Sequence, residues 1–164
     1  MKTSYYENGT LAIALLIIGI MAGFFYTYTI NVNLAMLEVS GEIYATVQSL
    51  FNENVRHFMF FIFFFGGGVA SVIAVLANIK YYKTISFWLI VSAGIIYIFG
   101  IIIFTAQVNL PLNYETESWN PQALPKDWEQ TRDDWNQANS IRVLFSMLSF
   151  ILYILVLVIR ASKK

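Results

Sequence analysis

The chain has 164 residues, of which 58% are hydrophobic and only 12% charged, and its ten Lys and Arg residues balance ten Asp and Glu residues. Soluble domains are about 45–50% apolar and about 25% charged, so this composition argues against a soluble globular protein. The absence of cysteine excludes a disulfide scaffold and a thiolate metal site, and without a basic excess we expect no nucleic-acid partner. The length allows a single domain over residues 1–164.

Four apolar runs are each long enough to cross a bilayer, and they cover residues 11–36, 58–79, 85–108 and 143–159. None of them contains Lys, Arg, Asp, Glu or His. Because a charged side chain costs several kcal/mol at the bilayer centre, four such runs predict four spanning helices. We therefore predict an all-α integral membrane protein whose first partner is the lipid bilayer itself.

The distribution of charge predicts the orientation of these helices. Six positive residues and one negative residue lie on one side of the membrane, namely Lys2, Lys80, Lys83, Arg160, Lys163 and Lys164 with Glu7. The segments 37–57 and 109–142 carry four positive and nine negative residues. The positive-inside rule then places both termini in the cytoplasm and both segments outside. We predict a multi-pass cell-membrane protein, an up-down-up-down four-helix bundle with an outward-facing loop and helix between helices 3 and 4.

Glycine and proline mark features of the predicted helices. We expect Gly19, Gly23 and the run Gly66 to Gly68 to lie on helix contact faces, although three successive glycines also suit a bend that opens a cavity. Pro111 should end helix 3 near Asn109, followed by a loop and by a new helix from Pro125. At that end Asn109 and Asn113 could either cap free carbonyls or bind a ligand.

A polar and aromatic stripe leads from the outer segment into helix 4. Spacings of four, three, four and three place Trp128, Arg132, Trp135, Asn139 and Arg142 on one helix face, and Ser146, Ser149 and Tyr153 continue it. A lipid-facing stripe would be apolar, so we expect this one to face the bundle interior or a water-filled cleft. The alternative is an aromatic belt at the membrane interface, with Arg142 extending its charge to the headgroups.

A second polar set lies between helices 1 and 2. Thr27, Asn31, Glu38 and Glu42 would share a face if helix 1 continued past the bilayer, and Gln48, Asn52 and Arg56 would share another. Glu53 and His57 are four residues apart, so they could hold a metal ion, with Glu38 or Glu42 as a further ligand, or form an ion pair. The metal site stays unassigned, and nothing in the sequence requires a cofactor.

At these residues the chain resembles a family of small four-helix membrane proteins that includes the fungal anthrone oxygenases. The matching features are Gly23-Phe24-Phe25-Tyr26, the segment Gln48 to Arg56, Thr105 with Asn109-Leu-Pro-Leu-Asn113, and Trp135, Asn139 and Arg142. The resemblance implies a four-helix membrane fold. For the few members with an assigned role, it also implies oxidation of a phenolic anthrone to a quinone.

The residues are compatible with such chemistry, because a phenol becomes reactive towards oxygen once it is deprotonated. His57, or a desolvated Glu53, could be the base, and Arg142 with Arg56 or Arg132 could stabilise the anion. Asn109, Asn113 and Asn139 could orient the ligand, and Trp128 and Trp135 could stack on it. The resulting hypothesis is an outward-facing cleft that acts on a flat, phenolic or quinol-like lipophilic molecule.

The competing hypothesis is a non-enzymatic accessory or ligand-binding subunit of a membrane complex or homo-oligomer. It is motivated by the acidic, tryptophan-rich segment from Glu115 to Asn139, which could dock a protein, and by the lack of a strong catalytic motif. A channel or transporter is disfavoured because no charge lies at the middle of any predicted span.

Overall fold

The computed structural model describes residues 4–162, and within that range the chain is helical without any strand. Four continuous helical stretches are long and apolar enough to cross a membrane, namely Tyr5–Leu37, Phe58–Ala77, Ile85–Glu117 and Trp128–Ala161. The prediction of four apolar helices is confirmed. Lys2, Lys163 and Lys164, which entered the orientation argument, lie outside the described residues.

The described residues form seven α-helices, six within these four stretches and one between the first two, and wider π-helical segments interrupt the first and third stretches. These are α1 (Tyr5–Thr27), α2 (Asn33–Leu37), α3 (Gly41–Val55), α4 (Phe58–Ala77), α5 (Ile85–Tyr97), α6 (Leu110–Glu117) and α7 (Trp128–Ala161). Side chains cap several of the starts. The hydroxyls of Ser4, Ser40 and Thr84 accept hydrogen bonds from backbone N–H groups at the beginnings of α1, α3 and α5.

Four helices surround one apolar core, because α1 packs against α4 and α7, and α5 packs against the same two. Leu11, Ile18, Ile90, Tyr97 and Tyr153 lie in this core with no solvent exposure. Glycine allows the closest approaches. A Cβ on Gly67 would meet the ring of Tyr97, whose hydroxyl donates to the Phe64 carbonyl at 3.0 Å.

The glycine predictions are correct at some positions and wrong at another. A Cβ on Gly19 would meet the Phe150 ring at 2.8 Å, as expected for a helix contact. A Cβ on Gly23 would have nothing within 4 Å, so Gly23 is not on a contact face. Helix α4 runs through Gly66 to Gly68 without interruption, and Gly67 there accommodates a neighbouring ring.

Pro111 does not end the third membrane helix, contrary to the sequence prediction. Two π-helical segments, Ile98–Ile103 and Thr105–Asn109, follow α5, and α6 continues the helix to Glu117. The Leu110 N–H bonds to the Thr105 carbonyl, five residues back. Pro111 then lies at the start of α6, where a missing N–H is tolerated. The next helix begins at Trp128 rather than at Pro125.

A third π-helical segment, Tyr28–Val32, overturns the predicted polar face of helix 1. Each π turn adds a residue and rotates the helix face that follows it. Thr27, Asn31, Glu38 and Glu42 are all exposed, whereas Tyr28 and Asn33 turn inward. The helix also ends at Leu37, so that Glu42 belongs to the separate helix α3.

A buried polar cluster closes the end of the bundle where α1 begins. Arg160 donates to the side-chain oxygens of Asn78 at 2.8 Å and Asn8 at 3.0 Å. Glu7, which is 3% exposed, accepts from the Tyr81 hydroxyl and pairs with Lys80. The pKa of Lys80 is raised by its hydrogen bond to Glu7. This cluster fixes the first, second and fourth membrane helices to one another.

Candidate functional site

A cavity of about 580 Å³ lies at the opposite end of the bundle, where α3 meets α4 and where the π-helical segment after α5 meets α6. Its apolar walls are mainly aromatic: Phe24, Tyr28, Phe51, Phe60, Phe61, Phe64, Phe65 and Trp135. The polar groups in its lining are Asn52, Asn54, Arg56, His57, Thr105, Asn113, Tyr114, Asn139 and Arg142. This combination suits a flat apolar ligand that carries a few polar atoms.

Arg142 is the most unusual group in the lining, because its guanidinium is buried without a carboxylate partner. The residue is 8% exposed, and its guanidinium carbon lies 4.6 Å from the Phe25 ring centre and 5.7 Å from that of Trp135. Its Nε is buried and has no hydrogen-bond partner. Among residues 4–162 no ion pair includes Arg142. Such a cation is costly to bury and attracts an anion.

Asn139 fixes the position of Arg142. Its Nδ2 donates to the Thr29 hydroxyl at 2.7 Å and to the Phe25 carbonyl at 3.3 Å. These contacts leave its Oδ1 as the acceptor that receives Nη2 of Arg142 at 2.7 Å. The guanidinium is thus held from one side by a neutral amide, and its charge remains available to the cavity.

Trp135 is held at the cavity wall by a hydrogen bond and by ring packing. Its Nε1 donates to Oδ1 of Asn113 at 2.6 Å, and its ring centre lies 5.0 Å from that of Tyr28. Trp135 is 4% exposed, so it does not belong to an aromatic belt at the membrane surface. The third membrane helix continues into α6 past its predicted end near Asn109. Asn113 therefore lies on α6, one turn beyond that predicted end, where it can accept from this indole.

A chain of side-chain hydrogen bonds joins α3 to the first membrane helix and to α6. The Tyr28 hydroxyl donates to Oε1 of Gln48 at 3.1 Å, and Gln48 donates to Asn52 at 3.0 Å. Asn52 donates in turn to the Thr116 hydroxyl at 3.0 Å. Gln48 and Asn52 are both buried on one face of α3, whereas Arg56, predicted to share that face, lies past the end of the helix and is exposed. The chain holds α3 across the cavity, so that Asn52 lines it.

His57 lines the cavity, but it is also the N-terminal cap of α4. Its Nδ1 accepts the backbone N–H of Phe60 at 3.3 Å. In a neutral imidazole with Nδ1 as the acceptor, the proton resides on Nε2. Acting as a base through Nδ1 would therefore require His57 to release the helix cap.

Glu53 does not lie beside His57 on one helix, contrary to the sequence expectation. Helix α3 ends at Val55 and α4 begins at Phe58, so the spacing of four residues does not bring the two side chains together. Glu53 is exposed and is absent from the cavity lining. No ion pair joins it to His57, and no group of three His, Asp or Glu residues that could hold a metal occurs in the described part of the chain.

Arg56 lines the cavity next to His57 and is paired with a carboxylate. Its Nη1 and Nη2 donate to the two carboxylate oxygens of Glu117 at 2.8 Å and 2.9 Å. This hydrogen-bonded pairing raises the pKa of Arg56. The pair ties the break between α3 and α4 to the end of α6, and it neutralises one of the two cations in the cavity lining.

Three further predicted site residues lie outside the cavity lining. Trp128 and Arg132 are half-buried above it, with Trp128 packed 5.9 Å from the Tyr44 ring and Arg132 stacked 5.1 Å over Trp128 and hydrogen-bonded to Asp133. Asn109 is fully buried, and neither atom of its amide has a partner. The Asn109 amide therefore caps no helix end, and a buried amide of this kind needs a water or a ligand atom as its partner.

The stripe on α7 faces inward as its spacing predicted, since Trp135, Asn139, Arg142, Ser146, Ser149 and Tyr153 are all buried.

Sequence reasoning missed Tyr28 and the phenylalanines of the cavity wall. Except for Phe51, they lie in long apolar runs that are typical of lipid-facing helix, and the π-helical segment Tyr28–Val32 turns Tyr28 towards Trp135.

A family model described as anthrone oxygenase matches residues 57–152, which is more than half of the chain. The match begins at His57 and includes the second and third membrane helices, α6 and most of α7. It thus covers Asn113, Trp135, Asn139 and Arg142 of the cavity lining. No curated protein and no solved structure matches the chain.

Proposed function

The chain belongs to the anthrone oxygenase family, and on that premise we propose that it is a membrane-embedded oxygenase for a flat, phenolic or quinol-like lipophilic molecule. The cavity around Arg142 is the proposed site. The main support is the buried guanidinium of Arg142, which lies near the rings of Phe25 and Trp135 and has a neutral amide as its partner. A phenolate seated on it would supply the missing negative charge.

Arg142 would act by lowering the pKa of the bound phenol. A positive charge in a low-dielectric site stabilises the phenolate over the phenol, so a proton is lost at a lower pH than in water. No carboxylate lines the cavity among the described residues, and Nδ1 of His57 is engaged by the Phe60 N–H. The proton would therefore leave to water rather than to a dedicated side-chain base.

Loss of one proton from the methylene carbon between the rings of an anthrone gives the phenolate of its anthrol tautomer, which is electron-rich at that carbon, and dioxygen would react there. Conversion of that CH₂ to a carbonyl removes four electrons, and one dioxygen molecule accepts all four. One oxygen atom becomes the quinone carbonyl, and the other leaves as water with the two methylene hydrogens. The protein would contribute anion stabilisation, stacking surfaces and orientation by Asn113 and Asn139.

The test is oxidation of a hydroxylated anthrone by the purified protein under isotopically labelled dioxygen. We expect quinone formation well above the spontaneous rate, with one labelled oxygen in the new carbonyl. Arg142→Gln removes the cation and should reduce the rate by about a hundredfold, because hydrogen bonds to ionised groups are the strong ones. A wild-type rate equal to that of Arg142→Gln would refute the proposal.

We further propose that the cavity opens on the extracytoplasmic side, as the charge distribution indicates. The chain contains no cysteine, so single cysteines report the orientation directly. Ser118→Cys, beside the cavity end, should react with a membrane-impermeant maleimide in intact cells, and Lys83→Cys, at the opposite end, should react only after lysis. The reverse pattern would place the cavity on the cytoplasmic side.

The accessory-subunit alternative gains no specific support. Its motivation was a tryptophan-rich surface, yet Trp119 and Trp128 pack within 6.3 Å and 5.9 Å of the Tyr44 ring, and Trp135 is buried in the wall. These tryptophans hold the outer segments together.

A further inference from the structure

An apolar groove on the outer surface of the bundle adjoins the cavity. The groove has a volume of about 400 Å³ and lies between α4 and the π-helical segment Ile98–Ile103. Phe65 and Ile102 line both the cavity and the groove. Every other residue of the groove is aliphatic or glycine: Gly68, Val69, Val72, Ile73 and Ile98. The groove therefore begins at the Phe65 and Ile102 wall of the cavity and is lined by no polar side chain.

The groove runs along α4, away from the polar end of the cavity. Arg56 and His57 precede the first residue of α4, and the groove extends from Phe65 to Ile73. At 1.5 Å per residue it begins about 10 Å along the helix and ends about 22 Å along it. An occupant would thus place its polar part at the membrane interface and its apolar part towards the bilayer centre, in the direction of a lipid chain.

The floor of the groove depends on Gly68. A Cβ at this position would meet Cδ1 of Ile102 at 2.8 Å and Cγ1 of Ile98 at 3.6 Å. On the outer side, Val69 and Val72 are 59% and 48% exposed. The groove is therefore open laterally along its length, so a chain attached to the ligand could enter it from the lipid.

We propose that the ligand is an amphiphile with an aromatic, anion-forming head in the cavity and a hydrocarbon chain in this groove. This inference rests on the proposed function and narrows its substrate class, from any flat phenol to a phenol or quinol that carries an apolar tail. The ligand enters sideways from the bilayer, because the groove is open to the lipid along Val69 and Val72. Phe65 and Ile102, the residues that line both the groove and the cavity, favour this occupant over the acyl chain of an unrelated bilayer lipid.

The test compares two hydroquinones that differ only in their tail. Binding of tritiated methylhydroquinone and decylhydroquinone is measured with the protein in nanodiscs of one lipid composition, for wild type, Val72→Trp and Leu155→Trp. Leu155 is 43% exposed on α7 and does not line the groove, so Leu155→Trp is the matched control. Partitioning into the lipid is the same for all three proteins and cancels from their ratios.

We expect Val72→Trp to weaken decylhydroquinone binding about tenfold, because the indole would occupy the groove volume that the decyl chain needs, and to leave methylhydroquinone within about twofold. Leu155→Trp should alter neither. Equal effects of Val72→Trp on both probes, or on neither, overturn the groove assignment while the head site stands. If wild type binds neither hydroquinone, the proposed function fails and this inference fails with it.

A second measurement uses the wild-type protein and does not depend on the folding of a variant. A decylhydroquinone with a diazirine at the chain end should label residues within 69–73 and 98–102. Labelling spread over other lipid-facing residues overturns the proposal. So does labelling of the groove by a diazirine-bearing phosphatidylcholine that decylhydroquinone fails to displace, since the occupant is then an ordinary lipid.

Discussion

Arg142 donates a hydrogen bond from Nη2 to Oδ1 of Asn139 at 2.7 Å, and Asn139 is itself fixed by Thr29 and by the Phe25 carbonyl. A neutral amide therefore positions a buried cation without neutralising it. Such an arrangement is poor for stability, because the guanidinium is desolvated with little in return. It is well suited to a site that waits for an anionic ligand.

We therefore expect Arg142→Met to separate function from stability. Methionine fills a similar volume without a buried charge. The free energy of unfolding should therefore stay within about 1 kcal/mol of the wild-type value, or rise. Phenol binding should fall about a hundredfold with loss of the charged hydrogen bond. Thermal unfolding in detergent and ligand titration measure the two quantities.

Arg142→Lys is the control for this prediction. It keeps the positive charge but loses the planar guanidinium, so it should retain more binding than Arg142→Met and less than wild type. A large fall in the melting temperature of Arg142→Met, with binding unchanged, would assign Arg142 a purely structural role.

The cap formed by His57 leads to a second prediction. Asn and Ser also cap helix N-termini, whereas Ala does not. His57→Ala should destabilise the protein by about 1 kcal/mol, and His57→Asn should restore most of that loss. Turnover should also survive in His57→Asn, since the imidazole is committed to the Phe60 N–H as an acceptor. Full loss of turnover in a stable His57→Asn variant would instead assign the imidazole to catalysis.

The third prediction concerns two glycines with opposite surroundings. A Cβ on Gly67 would collide with the Tyr97 ring, which is held by its hydrogen bond to the Phe64 carbonyl. Gly67→Ala should therefore destabilise the fold by about 1–3 kcal/mol, the usual cost of overpacking. Gly23→Ala meets nothing within 4 Å and should be neutral or slightly stabilising, since alanine favours helix. Denaturant titrations of both variants decide the matter, and equal effects would contradict it.

Hydropathy and helical spacing predicted the parts of the molecule that obey a constant period. The four membrane helices follow from uncharged runs, and burial of Asn139, Arg142, Ser146 and Ser149 follows from spacings of three and four residues on a straight helix. Where the helix stays α-helical, its constant period means that residues three or four positions apart lie on the same face.

The failures occur where the period changes or where the partner is distant in sequence. One π-helical segment rotates the helix face that follows Thr27, and another lets the third membrane helix continue past Pro111. No local residue preference in the sequence predicted these segments. The pairing of Arg56 with Glu117 joins residues 61 positions apart, and that of Arg160 with Asn78 joins residues 82 apart. A single sequence contains no periodic signal for such contacts.

The last prediction concerns the end of the bundle opposite the cavity, where Lys80 pairs with the buried carboxylate of Glu7. The hydrogen bond to Glu7 raises the pKa of Lys80 above its ordinary value of 10.5. The folded state therefore binds the ammonium proton of Lys80 more tightly than the unfolded state does. The stabilisation is complete below the unfolded pKa of about 10.5 and is lost as the pH rises through the higher folded value.

Lys80→Met should thus lower the melting temperature by a constant amount from neutral pH to about pH 10, and the difference from wild type should shrink at higher pH. Lys83→Met is the matched control, because Lys83 stacks on Tyr82 and forms no ion pair within residues 4–162. It should change the melting temperature little at any pH. A difference between wild type and Lys80→Met that persists undiminished above the folded pKa would show that Lys80 stabilises this end through packing rather than through its charge.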